Sequence, residues 1–105
     1  MQSFEIDPII HAPARLSIMT VLALTSEVDF LYLLHATGLS KGNLSSHLGK
    51  LEQAGYVEIE KTYRGKRPLT LCRLTDAGRK ALESYRRNMQ TVLDSLEFGD
   101  SKAAA

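Results

Sequence analysis

Residues 37–61, TGLSKGNLSSHLGKLEQAGYVEIEK, run without a break into residues 62–75, TYRGKRPLTLCRLT. Thr37-Gly38 ends whatever helix precedes it, since glycine suits the left-handed cap position. Ser40 is a good N-cap for a helix that starts at Lys41, because its hydroxyl can accept a free first-turn N–H. Leu44, Leu48 and Leu51 then recur at spacings of four and three. Ala54 extends this narrow apolar stripe, and Gly55 stops the helix. At about 3.6 residues per turn, the opposite face carries Gly42, Asn43, Ser46, Gly49, Lys50 and Gln53, flanked by Ser45 and His47. That face is polar, rich in small residues and free of acid until Glu52. Tyr56-Val57-Glu58-Ile59-Glu60-Lys61 alternates as a half-buried strand should. Pro68 to Leu74 forms the second strand, and Thr62 to Arg67 the connection, with Gly65 at the tight turn. The stretch predicts a polar-faced helix beside a hairpin with a basic tip.

Working outward, Phe4, Ile6, Ile9 and Ile10 surround Pro8, which discourages a continuous helix. Pro13 fits a first helical turn, where its missing N–H costs nothing. Helix 1 is expected from about Pro13 to Leu24, with Leu16, Met19, Leu22 and Ala23 inward. Thr25-Ser26 breaks it, and helix 2 is expected from about Val28 to Ala36, with an apolar side of Phe30, Leu31, Leu33 and Leu34. Thr75-Asp76 caps a long last helix, Asp76 being favourable near the positive N-terminal end. Leu82, Tyr85, Met89, Val92 and Leu96 recur there at spacings of three and four, the period of a coiled-coil-like seam. The expected fold class is mainly α with a small β-hairpin, an α+β arrangement. One domain over residues 1–105 is expected: about 12–74 for the helices and hairpin, 75–97 for the seam helix and 98–105 for a flexible tail.

A chain of 105 residues supports one small domain with one core. A net charge of +1 says nothing about polyanions, but its distribution does. Residues 1–40 hold one basic side chain, Arg15, against Glu5, Asp7, Glu27 and Asp29. From Lys61 to Arg87 there are nine basic side chains against Asp76 and Glu83. Such asymmetry points to a polyanion-binding face on one half. Cys72 is the sole cysteine, so no intramolecular disulfide can form. No apolar run approaches the roughly 20 residues a bilayer span needs. The N-terminus MQSFEIDPII lacks the pattern of a signal peptide, so a cytoplasmic protein is expected.

A helix that enters a major groove needs one face anchored on its own domain. Its other face needs short hydrogen-bonding side chains that reach base edges. Asn43, Ser45, Ser46, His47 and Lys50 meet that description, Ser40 and Lys41 lie at the entering end, and Gly42 and Gly49 allow close backbone approach. On the hairpin, Tyr63, Arg64, Lys66 and Arg67 put three cations and an aromatic on one tip. Arg suits a minor groove or a phosphate, and Lys acts as a point charge on phosphate. The candidate DNA-binding set is therefore Ser40, Lys41, Gly42, Asn43, Ser45, Ser46, His47, Lys50, Tyr63, Arg64, Lys66 and Arg67. The alternative is a module that binds protein or RNA. Its mark would be an apolar patch in place of the basic tip, and Arg64, Lys66 and Arg67 argue against it. No Ser/His/Asp constellation with supporting context, no glycine-rich phosphate loop and no metal motif is present, so an enzyme is not expected.

The segments LSKGNLSSHLGKLEQAGYVE, GKRPLTLCRLT and TDAGR resemble the winged helix-turn-helix of MarR-type and ArsR-type transcriptional regulators. The matching positions are Ser40, Leu44, Ser45, His47, Leu48, Leu51, Gly55, Tyr56 and Val57. With Pro13-Ala14-Arg15 opening helix 1, the resemblance spans about residues 9 to 97 and is closest to small regulators with no added sensor domain. It implies a homodimer, a recognition helix over 41–54 in each major groove, the basic wing 61–67 on the backbone or minor groove, and repression as the usual outcome. Leu82, Tyr85, Met89, Val92 and Leu96 are the candidate dimerisation residues, with Phe4, Ile6, Ile9 and Ile10 completing the interface. Two-fold symmetry implies a pseudo-palindromic site on double-stranded DNA, with half-sites about one helical turn apart. ArsR-type sensors hold metals with paired cysteines or His/Asp clusters. Here His11, His35 and His47 fall on separate elements, so no metal and no cofactor are expected. MarR-type relatives take small-molecule effectors in a cleft beside the dimer helices, and nothing in this sequence indicates one. Cys72 is expected to be a buried structural thiol.

Overall fold

The computed structural model describes residues 4–96. Its elements run α1 (Pro13–Leu24), β1 (Val28–Asp29), α2 (Phe30–Thr37), α3 (Lys41–Gln53), β2 (Val57–Arg64), β3 (Arg67–Leu74) and α4 (Asp76–Ser95). The strands form one antiparallel sheet in the order β1-β3-β2. The core lies where α1, α2 and α3 meet the inner face of this sheet. Ile18, Met19 and Leu22 come from α1, Leu33 from α2, Leu44, Leu48 and Leu51 from α3, and Val57 and Cys72 from the sheet. The three leucines of α3 are those whose spacing defines its apolar stripe.

Helix ends follow local chemistry. Pro13 opens α1 without any side-chain cap. The hydroxyl of Ser40 accepts from Asn43 N, and that of Thr75 from Gly78 N, so α3 and α4 start on side-chain caps. Gly38 and Gly55 take the left-handed conformation, with φ of 71° and 81°, and end α2 and α3.

Three expectations need correction. The first concerns Val28 and Asp29, which belong to a strand and not to helix 2. They pair with Cys72 and Leu71 of β3, so the hairpin becomes a three-stranded sheet. Asp29 is then the N-cap of α2, accepting from Tyr32 N at 2.8 Å, and the helix runs one residue past Ala36 to Thr37. The second concerns the wing, where strand pairing continues to Arg64↔Arg67. The turn shrinks to Gly65-Lys66. Gly65 has φ 63° and Lys66 does not have a positive φ, the pattern of a two-residue II′ hairpin. The third is that α4 ends at Ser95, and Leu96 is already extended. The tail expected over 98–105 and Glu97 lie outside the described residues.

The N-terminal segment packs on its own protomer through its isoleucines, while Phe4 stays exposed. Ile10 is fully buried, with Ile6 and Ile9 against the core. Asp7 holds the segment in place. Its carboxylate accepts from Ile9 N at 2.8 Å and from the Tyr56 hydroxyl at 2.5 Å. Asn88 of α4 donates to Glu5 O at 2.7 Å.

Candidate nucleic-acid interface

α3 is anchored through Leu44, Leu48 and Leu51, and most of its polar face is exposed. Lys41, Gly42, Asn43, Ser45, Ser46 and Lys50 are all exposed, as is Ser40 at the cap. A Cβ built on Gly42 or Gly49 would meet nothing within 4 Å. Among the described residues, no packing therefore requires either glycine.

The wing stands beside this helix. Ser45, Gly49 and Glu52 of α3 face Ile59, Lys61 and Thr70 of the wing across an open groove that Phe30 and Leu48 floor. At the wing tip Tyr63, Arg64, Lys66 and Arg67 are exposed, and Tyr63 is 70% accessible. Arg64 and Arg67 are directly opposite each other in the register. Like charges in that position repel. Among the described residues neither has a carboxylate within ion-pair distance.

Arg73, by contrast, is neutralised. Its guanidinium pairs with Glu58 at 2.9 Å, with Glu60 at 2.7 Å and with Glu27. Hydrogen bonds from Arg73 to Glu60 and Glu58 push its already high pKa further up. This cluster ties the loop before β1 to the base of the wing. It also subtracts one cation from the basic stretch that the sequence offers.

His47 sits at the flank of the polar face, half-buried, with Nδ1 3.2 Å from a guanidinium nitrogen of Arg15. Its pKa is lowered by desolvation first, then by the charges of Arg15 and Lys50. No local pattern signals this pairing, because Arg15 lies 32 residues away on another helix.

The candidate dimerisation residues divide. Tyr85 is mostly buried in its own protomer at 7% exposure, with His11 Nδ1 3.0 Å from its hydroxyl, and it also lines the groove between α1 and α4. Leu82 and Met89 are half-buried against the core, and Met89 is the last α4 residue packed on it. Val92 is half-buried, and Leu96 is 50% exposed. The seam spacing misses Leu93 of α4, 55% exposed, and Leu24 at the end of α1, 82% exposed. These two line one apolar groove of about 430 Å³ together with Leu16, Leu82 and Met89.

Cys72 is fully buried on β3, and burial pushes its thiol up to about 11, so it is not a thiolate at neutral pH. Among the described residues no three His, Cys, Asp or Glu side chains come together as a metal-binding group. No helix among them is long and apolar enough to cross a membrane.

A helix-turn-helix followed by a basic antiparallel wing, with one polar helix face exposed beside it, is the winged-helix architecture. The family model of the winged helix DNA-binding domain matches residues 14–93. An uncharacterized protein of Methanocaldococcus jannaschii is 35% identical over 77 residues, which cover 73% of this chain and 84% of that protein. The structure of a transcriptional regulator homologue from Pyrococcus horikoshii superposes with a TM-score of 0.80 at 31% identity, over 86% of this chain and 89% of that one. A MarR-family regulator from Silicibacter pomeroyi shares the fold, with a TM-score of 0.64 at 21% identity over 87% of this chain and 60% of that one. The transcriptional repressor BigR from Xylella fastidiosa gives 0.57 at 26% identity, covering 72% and 71%. The chain belongs to the winged helix DNA-binding domain family, and it is a winged helix-turn-helix transcriptional regulator rather than an enzyme.

Proposed function

We propose that two copies of this protein bind a pseudo-palindromic double-stranded DNA site and repress transcription by occupying it. α3 enters the major groove of each half-site. Asn43, Ser45, Ser46 and Lys50 face the base edges, while Ser40, Lys41 and His47 lie near the backbone. Gly42 and Gly49 let the helix approach closely. Tyr63, Arg64, Lys66 and Arg67 hold the flanking phosphates or minor groove. BigR is a transcriptional repressor, and the likeness to it supports the direction of regulation. The cytoplasm is the compartment this role requires.

The observation that carries the reading is the wing tip. Arg64 and Arg67 oppose each other across a two-residue turn with Lys66 between them in sequence. Among the described residues neither arginine forms an ion pair, although Asp29 lines the same pocket as both, and a polyanion supplies the direct counter-charge they lack. The same hairpin stands beside an exposed helix face that holds no acidic residue before Glu52.

Selection of bound duplexes from a random library, at fixed and recorded salt, tests the proposal. The expected product is a two-fold symmetric motif with half-site centres about 10 base pairs apart. Enrichment of no motif, or of an asymmetric single half-site, would refute sequence-specific dimeric binding.

A further inference from the structure

Arg15 is the single basic residue of the first 40, and it makes three contacts. Its Nε donates to Ile9 O at 2.5 Å, and one terminal nitrogen donates to Pro8 O at 3.3 Å. The other terminal nitrogen lies 3.2 Å from His47 Nδ1 on α3. A guanidinium has donors only and does not lose its proton in proteins. The contact is therefore a hydrogen bond only if Nδ1 offers its lone pair. The imidazole must then be neutral and must carry its proton on Nε2. Among the described residues, no hydrogen bond of the chain uses Nε2.

We infer that Arg15 is a positioning residue for DNA binding. It fixes His47 of the recognition helix as the Nε2–H tautomer and presents that donor to a phosphate oxygen of bound DNA. This rests on the proposed DNA-binding role of α3. The geometry has a clear logic. The two carbonyls at Pro8 and Ile9 hold the guanidinium from behind, and the imidazole lies at its front. The ring is thus oriented by the core-anchored start of α1, not by its own helix. Arg15 from α1 and Lys50 from α3 are the charges that act on the ring, and both oppose its protonation. A neutral ring with one fixed donor matches a phosphate oxygen, which only accepts. Free in water the same ring would exchange between two tautomers and a cation near its usual pKa of 6.5.

The test begins with the free full-length protein. Nitrogen-15 and carbon-13 spectra of the imidazoles, with the His47 signals assigned through His47→Gln, should show His47 as the Nε2–H tautomer. The Arg15→Met variant should raise its titration midpoint and mix the tautomers. A wild-type Nδ1–H tautomer, or a variant that leaves both signals unmoved, would overturn the assignment. Arg15→Lys keeps the charge but cannot span the three acceptors. It should perturb the tautomer as well, and it carries the test where the Met variant does not fold. On the selected duplex, Arg15→Met should weaken binding about tenfold, the scale of one charge-assisted hydrogen bond. In a His47→Ala background the same change should cost little further. Additive losses would place Arg15 outside this mechanism. A duplex that shifts no α3 signal, while the tautomer stays fixed, would instead refute the DNA-binding reading and with it the phosphate contact, leaving the clamp intact.

Discussion

Gly78 shows how much one absent methyl group can decide. α4 starts against the beginning of β2, and a Cβ built on Gly78 would stand 2.1 Å from Tyr56 O. That carbonyl also accepts from Thr75 N at 3.0 Å, and Thr75 Oγ1 donates to Gly55 O at 2.6 Å. The clash is with backbone, so no side-chain rotation relieves it. Gly78→Ala should cost about 3 kcal/mol or prevent folding, read as a lowered urea midpoint. The neighbouring Tyr56 side chain gives a second residue-level test. Its hydroxyl donates to Asp7, and that hydrogen bond, followed by desolvation and the Asp7 charge, raises its pKa to about 12. The native state thus holds this proton more tightly than the unfolded chain, whose tyrosines ionise near 10. The stabilisation is fully present below about pH 10 and is lost as pH rises towards about 12. The stability difference between wild type and Tyr56→Phe should shrink across that window. A difference that stays constant there would mean the hydrogen bond does not act through ionisation.

At the scale of elements, α3 trades its own stability for shape. Glycine costs a helix interior roughly 1 kcal/mol relative to alanine, and neither Gly42 nor Gly49 has a neighbour that forbids a methyl group. Gly42→Ala and Gly49→Ala should each stabilise the protein by up to about 1 kcal/mol in denaturant unfolding, yet weaken binding to the selected duplex. Stabilisation with undiminished affinity would show that the glycines serve no DNA approach. The wing answers to salt instead. Replacing Arg64, Lys66 and Arg67 together by Ala should weaken binding to every sequence. The slope of log affinity against log salt should flatten by about one for each phosphate the wing no longer neutralises. An unchanged slope would take the wing out of the interface. Much of this level is legible in the sequence. Leu44, Leu48 and Leu51 are periodic, Ser40 and Thr75 are caps, and Gly55 is a stop, all local signals. β1 is not legible, because two residues have no period. Val28 and Asp29 are extended only through pairing with Cys72 and Leu71, more than 40 residues away. The Arg15–His47 and Arg73–Glu27 contacts, 32 and 46 residues apart, stay hidden for the same reason. Such pairings depend on how the elements pack, and local patterning carries no trace of that.

For the whole molecule, the spacing in α4 that suggests a seam includes Tyr85 and leaves out Leu93. Tyr85 is taken up by the protomer's own core, whereas Leu93 lies near the end of α4, past the last core contact at Met89. Leu93 and Leu24 are exposed on the same groove, with Leu16, Leu82 and Met89 within it. Apolar side chains clustered in this way suit the contact surface that the proposed dimer requires. In the proposed dimer a second copy presents the same groove about a two-fold axis, each α4 covering the other. Leu93→Glu places a charge in that contact while touching nothing in the protomer core. The variant should sediment as a monomer with its thermal midpoint for the protomer fold preserved. Its DNA affinity should fall roughly 100-fold or more, since the second half-site is no longer tethered at the millimolar effective concentration that linkage provides. Single half-site duplexes should be bound as weakly by wild type as by the variant. A Leu93→Glu protein that remains dimeric would move the interface elsewhere on the surface. A monomer with full affinity would mean that one wing and one recognition helix suffice.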